Sequence, residues 1–309
     1  MNGFIPDRVR KMKKKIPFTG LCTAMVTPFS PDGSRVDEEA LVRMTERQID
    51  AGADALLFLG TTGEAPTVTD EERRKLLALA VKTVRGRLSV IAGCGSNDTA
   101  RAVRLAKEAE EAGCSALLCV TPYYNKTTPE GLVRHFEAVA DAADLPLILY
   151  NVPGRTGVDM PVEVCRRLSE HPRIAGIKEA SGDIRKAARI LAASGEDFAV
   201  WAGNDAEAVP VMALGGSGVI SVASNLCPGA VRDLCRRMEA GDVRGAAAVQ
   251  LTLMPLIEAL FSAVNPIPVK TACGIMGLCS PALRPPLCPM EDALRLRLEE
   301  ELRRAGECP

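Results

Sequence analysis

The chain has 309 residues, 47% hydrophobic and 25% charged, enough to bury the core of one large barrel with an appendage or of two ordinary domains. Its 38 Lys plus Arg nearly balance 39 Asp plus Glu, and a formal net charge of -1 gives no general attraction to nucleic acid or to an anionic membrane. Apolar runs such as 55–59 and 115–120 fall far short of the roughly 20 residues a spanning helix needs, so no membrane partner is expected.

Residues 1–17 contain Arg8, Arg10, Lys11, Lys13, Lys14 and Lys15, a like-charged block expected to be a disordered, solvated tail. Met12 is an alternative start, and a transit peptide or nucleic-acid arm is the minor alternative for the block. From Phe18 onward, short apolar segments alternate with longer helical patterns. The segments 21–26, 55–59, 89–92, 116–120, 147–150, 174–178, 199–201 and 218–221 are rich in Val, Ile and Leu and bounded by Gly, Pro or Thr, as strands buried on both faces are. Between them, 37–51, 70–84, 98–112 and 129–142 carry apolar residues at helical spacing, several beginning with Asp or Pro and ending near Gly. Eight such units over residues 18–240 predict an α/β fold, a closed (β/α)8 barrel, because a doubly wound open sheet normally uses five or six strands. The beat then stops. Residues 241–309 read as a C-terminal helical extension with helices at 243–263, 269–278 and 291–305.

The eleven cysteines form no CxxC pair and lie mostly in apolar segments, where a thiol behaves as a small hydrophobe. An odd count without an apolar leader suggests a reducing cytoplasm. Zinc is the rival use of these thiols, but with only His135 and His171 and no ligand-spaced pairs, no metal is expected.

In such barrels the chemistry lies at the C-terminal ends of the strands and the loops that follow. Lys178 ends the sixth strand with Ile174, Ala175, Gly176 and Ile177 beneath it, where lost hydration disfavours an ammonium and favours an amine able to attack a carbonyl. The alternative is a lysine that snorkels to water or pairs with Glu179. Gly60-Thr61-Thr62-Gly63 offers hydroxyls and N–H groups suited to a carboxylate, or is an ordinary glycine-rich turn; it lacks the lysine of a Walker-type phosphate loop. Tyr150 closes the fifth strand, where a phenol could pass protons or simply anchor the fold. Arg155 follows, able to fork onto a carboxylate, or to cap a helix at the surface.

With Gly-Thr-Thr-Gly-Glu at 60–64, Thr-Pro-Tyr-Tyr-Asn at 121–125, Tyr-Asn-Val-Pro-Gly-Arg-Thr-Gly at 150–157, Gly-Ile-Lys-Glu-Ala at 176–180 and Asn-Pro-Ile-Pro-Val-Lys at 265–270, the chain resembles the dihydrodipicolinate synthase family from Phe18 to Ala305. The resemblance implies condensation of pyruvate with L-aspartate 4-semialdehyde, with Lys178 forming an imine and no separate cofactor. It makes Tyr150, Thr61 and Tyr124 a proton relay, Tyr124 coming from a neighbouring subunit of a homotetramer built from dimers. Thr62 would hold the pyruvate carboxylate and Arg155 that of the semialdehyde, with backbone carbonyls of Gly203 and Ile220 lining the pocket. It also implies an effector site for lysine. There Asn97 and Tyr123 are kept, Arg101 replaces a glutamate, and Asp70 and Arg73 replace histidines, so weak or absent inhibition is expected.

The same scaffold serves N-acetylneuraminate lyase and keto-deoxy sugar acid aldolases, so fold and lysine alone leave the substrate open. In the lyases the equivalent of Arg155 is absent and Ser-Thr stands for Thr61-Thr62, which favours the synthase here. A catalytically dead barrel serving as a binding subunit is the alternative from another class; nothing in barrel packing requires this set of lysine, tyrosines, threonines and arginine together.

Overall fold

Eight parallel strands close on themselves in the computed structural model, which describes residues 14–306. In chain order they and their helices are β1 (Gly20–Ala24), α1 (Glu38–Asp50), β2 (Ala55–Phe58), α2 (Asp70–Val84), β3 (Ser89–Gly93), α3 (Thr99–Glu111), β4 (Ala116–Val120) and α4 (Pro129–Asp141). Then come β5 (Leu147–Asn151), α5 (Pro153–Thr156), α6 (Val162–Leu168), β6 (Ile174–Glu179), α7 (Ile184–Ala193), β7 (Ala199–Ala202), α8 (Ala208–Ala213), β8 (Gly218–Ser221) and α9 (Pro228–Glu239). The extension adds α10 (Val243–Leu260), α11 (Ile267–Ile275) and α12 (Asp292–Arg304). β8 pairs back onto β1 with Gly20 opposite Gly218, so the (β/α)8 barrel is complete and no sheet edge is left open.

The expected strands are all present, with every end within two residues of its expected place. The expected helix starts at Asp37 and Asp98 are N-caps: their carboxylates accept from the N–H groups of Ala40 and Ala100, so the helices begin one residue later. α2 begins with a reciprocal capping box between Thr69 and Glu72. The second helix of the extension begins at Ile267, two residues before the expected Val269. Pro268 sits in its first turn, where no N–H is needed, so it does not delay the helix. The first helix of the extension ends at Leu260 with Phe261 as its C-cap, short of the expected residue 263.

α10 is the one described helix long and apolar enough to cross a membrane by length and composition, but it packs against α8, α9 and α12. Of the expected tail, Lys14 is docked: its ammonium donates to the carbonyls of Ser169 and Ile174. Arg8, Arg10, Lys11, Met12 and Lys13 lie outside the described residues.

Apolar side chains form two layers, one between strands and helices and one inside the barrel. Inside, Phe18, just ahead of β1, stacks on Trp201 with ring centroids 4.8 Å apart. Gly176 makes room for that indole, since a Cβ there would meet Trp201 Cζ3 at 2.7 Å and the Ala199 carbonyl at 2.1 Å. The barrel floor is therefore solid, and its opposite mouth carries the polar groups.

Candidate active site

Strand alternation decides which side chains of β5 and β6 meet inside the mouth. Tyr150 lies directly opposite Lys178, and the next pair, Asn151 and Glu179, faces outward. Glu179 accepts from Asn151 Nδ2 at 3.0 Å and from the Ser181 N–H at 2.7 Å, so its carboxylate is committed away from Lys178. This removes the alternative in which Glu179 pairs with the lysine. Lys178 is 4% exposed, and its Nζ lies 4.5 Å from the centroid of the Tyr150 ring. Among the described residues it has no direct ion-pair partner, and it interacts through space with the buried Asp205.

Lys178, Tyr150, Thr61, Thr62, Arg155 and Gly203 line one cavity, part of it open to solvent. Gly203 is required by space: a Cβ would stand 2.6 Å from Ala180 Cβ and 3.1 Å from Lys178 Cε. The Gly60–Glu64 turn is closed by the Gly63 N–H on Gly60 O and the Glu64 N–H on Thr61 O. The N–H groups of Thr61 and Thr62 have no acceptor among the described residues, which leaves them, with two hydroxyls, for a carboxylate.

Other predicted residues lie outside the lining of this cavity. Ile220 is fully buried in the inner barrel layer, and Val222, two residues on, lines the cavity. Tyr124 is 90% exposed with φ 68°, in the left-handed region, and does not reach this chain's cavity. Arg73 is buried, not presented to an effector: its Nη2 donates to Gly93 O at 2.6 Å, and burial pushes its pKa down. Arg101 is half-exposed but already paired with Asp70 at 3.1 Å. Asn97 accepts through its carbonyl from Asn125 Nδ2 at 2.9 Å, and Tyr123 is partly buried nearby in sequence.

Other residues were not anticipated in the site. Asp205 is buried and accepts from the Ser221 hydroxyl and from the N–H groups of Val222 and Ala223 at 3.0 and 3.2 Å, fixing the loop after β8. Burial pushes its pKa up, and those hydrogen bonds together with the charge of Lys178 pull it down. Asn204, Phe261 and Asn265 also line the cavity. Asn265 donates from Nδ2 to Thr62 Oγ1 at 3.0 Å, while its carbonyl accepts from Arg155 Nη2 at 3.0 Å. The one sequence signal for Asn265 was its place in the 265–270 motif; no periodicity links it to Thr62, 203 positions away.

A buried, unpaired lysine beside a phenol, with hydroxyls and an arginine around a cavity, is a set suited to attack on a carbonyl of an anionic substrate. Comparison with known proteins agrees. The Dihydrodipicolinate synthetase family matches residues 17–305. The 4-hydroxy-tetrahydrodipicolinate synthase of Geobacter sulfurreducens is 47% identical over 281 residues, covering 91% of this chain and 96% of that one. Among solved structures, the lysine-bound enzyme from Cyanidioschyzon merolae superposes with a TM-score of 0.92 at 38% identity, covering 95% and 100% of the two chains. A monomeric dihydrodipicolinate synthase variant superposes with a TM-score of 0.91 at 41% identity, covering 94% and 97%. On residues, geometry and relatives together, this chain belongs to the dihydrodipicolinate synthetase family.

Proposed function

We propose that this protein is a lyase-class 4-hydroxy-tetrahydrodipicolinate synthase, joining pyruvate to L-aspartate 4-semialdehyde at the entry to diaminopimelate and lysine biosynthesis. The Lys178 amine attacks C2 of pyruvate and water leaves, giving an imine. Loss of a C3 proton gives an enamine, whose C3 attacks the aldehyde carbon; the resulting alkoxide takes up a proton. The semialdehyde's own amine then displaces Lys178 from the imine carbon, closing the ring and freeing the enzyme. Tyr150 and Thr61 carry protons, Thr62 holds the pyruvate carboxylate and Arg155 that of the semialdehyde. The imine supplies the electron sink, so no metal or organic cofactor enters the scheme.

The observation that carries this reading is Lys178 itself, buried at a strand end, facing a cavity and unpaired. Pyruvate plus borohydride should fix a single adduct on Lys178, read by mass. Labelling of another lysine, or none in active protein, would overturn it. N-acetylneuraminate cleavage is the second reading; Arg155 on the cavity wall favours the semialdehyde over it.

Assembly belongs to the same proposal. An exposed Tyr124 can join the relay only if another copy delivers it, so the reading calls for a dimer as the smallest fully active unit and a tetramer in solution. The monomeric relative makes this a real alternative. A fully active monomer by light scattering under assay conditions would refute the shared site. We further propose a cytoplasmic location, where buried thiols such as Cys22, its pKa pushed up by burial, stay reduced. Where the C. merolae enzyme binds lysine, the Arg101–Asp70 pair argues that this chain binds it weakly.

A further inference from the structure

We infer that the buried ion pair between Lys270 and Glu64 positions the Thr61-Thr62 turn for the substrate carboxylate, making Lys270, on the C-terminal extension, a positioning residue for the reaction. The inference rests on the proposed role of Thr62 and extends it.

Lys270 is fully buried on α11, with its Nζ 2.5 Å from Glu64 Oε1 and 3.8 Å from the centroid of the Phe29 ring. Glu64 ends the Gly60–Glu64 turn with φ 51°, a left-handed conformation that a residue with a side chain adopts only when its surroundings hold it there. Here they do: Glu64 Oε2 also accepts from the Arg284 N–H at 3.1 Å, and Gly63 O accepts from the Thr27 hydroxyl at 2.6 Å. The turn is thus gripped at its final residue by two points of the extension and at Gly63 by the barrel.

Energetics say what the pair is for. A buried ion pair contributes little net stability compared with an apolar pair of similar volume, whereas loss of one partner strands a charge in the interior. Burial accordingly pushes the Lys270 pKa down, and Glu64 opposes that fall. What such a pair does supply is a unique geometry. The six residues Asn265 to Lys270 carry that geometry to the ligand. Asn265 donates to the Thr62 oxygen, so the Thr62 hydroxyl proton is left to donate elsewhere, and a carboxylate in the cavity is the acceptor it suits. The extension therefore sets both where the turn lies and which way its hydroxyl points.

The test is steady-state kinetics on the full-length protein carrying Glu64→Gln with Lys270→Met, a double variant that removes both charges. Its Tm should stay within about 5 °C of the wild type, with KM for pyruvate up at least tenfold and kcat at saturating pyruvate down less than threefold. Borohydride should still trap the adduct on Lys178 once pyruvate saturates. Wild-type KM in a folded double variant would reduce the pair to a structural role and overturn the inference, as would a fall in kcat at unchanged KM. Should the double variant not fold, Glu64→Asp keeps both charges and shortens the reach by one methylene. A selective rise in KM is again expected, and an unchanged KM overturns it. Absence of any adduct in the wild type would instead sink the Lys178 mechanism, so the two failures are distinguishable.

Discussion

Two of the buried lysines, 4% and 0% exposed, lie in regions that treat them oppositely. At the seam between barrel and extension, Lys270 has Glu64 against its ammonium and no open space beside it. At the barrel mouth, Lys178 has a phenol ring, a cavity and no carboxylate in direct contact. Burial is common to both, so burial does not make a nucleophile. What separates them is whether a carboxylate sits against the ammonium and whether a carbonyl can approach.

The sharpest way to break this contrast is to remove each amine in turn. Lys178→Ala should lower kcat by at least about 10³-fold because the covalent route is gone, while Tm stays near the wild-type value. Lys270→Met should do the reverse at saturating pyruvate, destabilising through stranded Glu64 and leaving much of the turnover. Matching losses of activity without loss of stability in both variants would erase the distinction.

Arg155 stands between the two regions, lining the cavity while its Nη2 holds the Asn265 carbonyl. Arg155→Ala should cut kcat/KM for the semialdehyde by about 30- to 150-fold, the equivalent of roughly 2–3 kcal/mol for one charge-assisted contact. Imine formation with pyruvate should survive. Normal condensation by the variant, or faster cleavage of sialic acid than condensation in the wild type, would show that Arg155 does not select the substrate.

The mouth was more legible in the sequence than the seam, for a physical reason. Lys178, Tyr150 and Thr61-Thr62 sit at or just past strand ends, and the βα beat locates strand ends. Gly203 came only from the family resemblance. Asn265, Glu64 and Lys270 act across more than 200 positions of chain, a pairing set by how the extension folds back, which no local pattern encodes. Arg73 was expected at an effector position; only packing shows that its guanidinium turns inward to a strand carbonyl. Asp205 left no mark because its work is done on backbone N–H groups.

A free lysine is a third ammonium to set beside these two, and it too needs an anion. Near α2 and α3 the candidate anion is Asp70, but Arg101 already occupies it. A lysine effector would have to displace that guanidinium and then lie beside it, a like-charge contact that costs discrimination. Half-inhibition should therefore need lysine above the millimolar range, and Arg101→Glu should lower that concentration at least tenfold. Sub-millimolar inhibition of the wild type would show that an exposed, half-screened pair is no barrier.

The smallest expected effect tests whether the seam is ionic as a whole. Besides Lys270–Glu64 it carries a forked pair, with Arg284 Nη1 and Nη2 on the two oxygens of Glu72 at 2.7 and 2.6 Å. Arg284 also donates to the carbonyls of Gly33 and Thr67, so one side chain ties the extension to the β1 loop and to the start of α2. The Arg284 guanidinium, with help from Thr69, holds the Glu72 carboxyl down at about 2 against an ordinary 4.5. A carboxyl depressed on folding stabilises the protein above its unfolded pKa and loses that contribution as acid titrates it in the folded state. The window is thus pH 4.5 down to about 2, with the full contribution present at neutral pH. Glu72→Gln should lower Tm at pH 7 by roughly 2–4 °C, as a partly solvated pair worth about 1 kcal/mol would. The gap between variant and wild type should then shrink through the window and vanish near its lower end. Parallel melting curves from pH 7 to pH 2 would mean that the fork contributes geometry but no net charge stabilisation, and would confine the ionic character of the seam to Lys270 and Glu64.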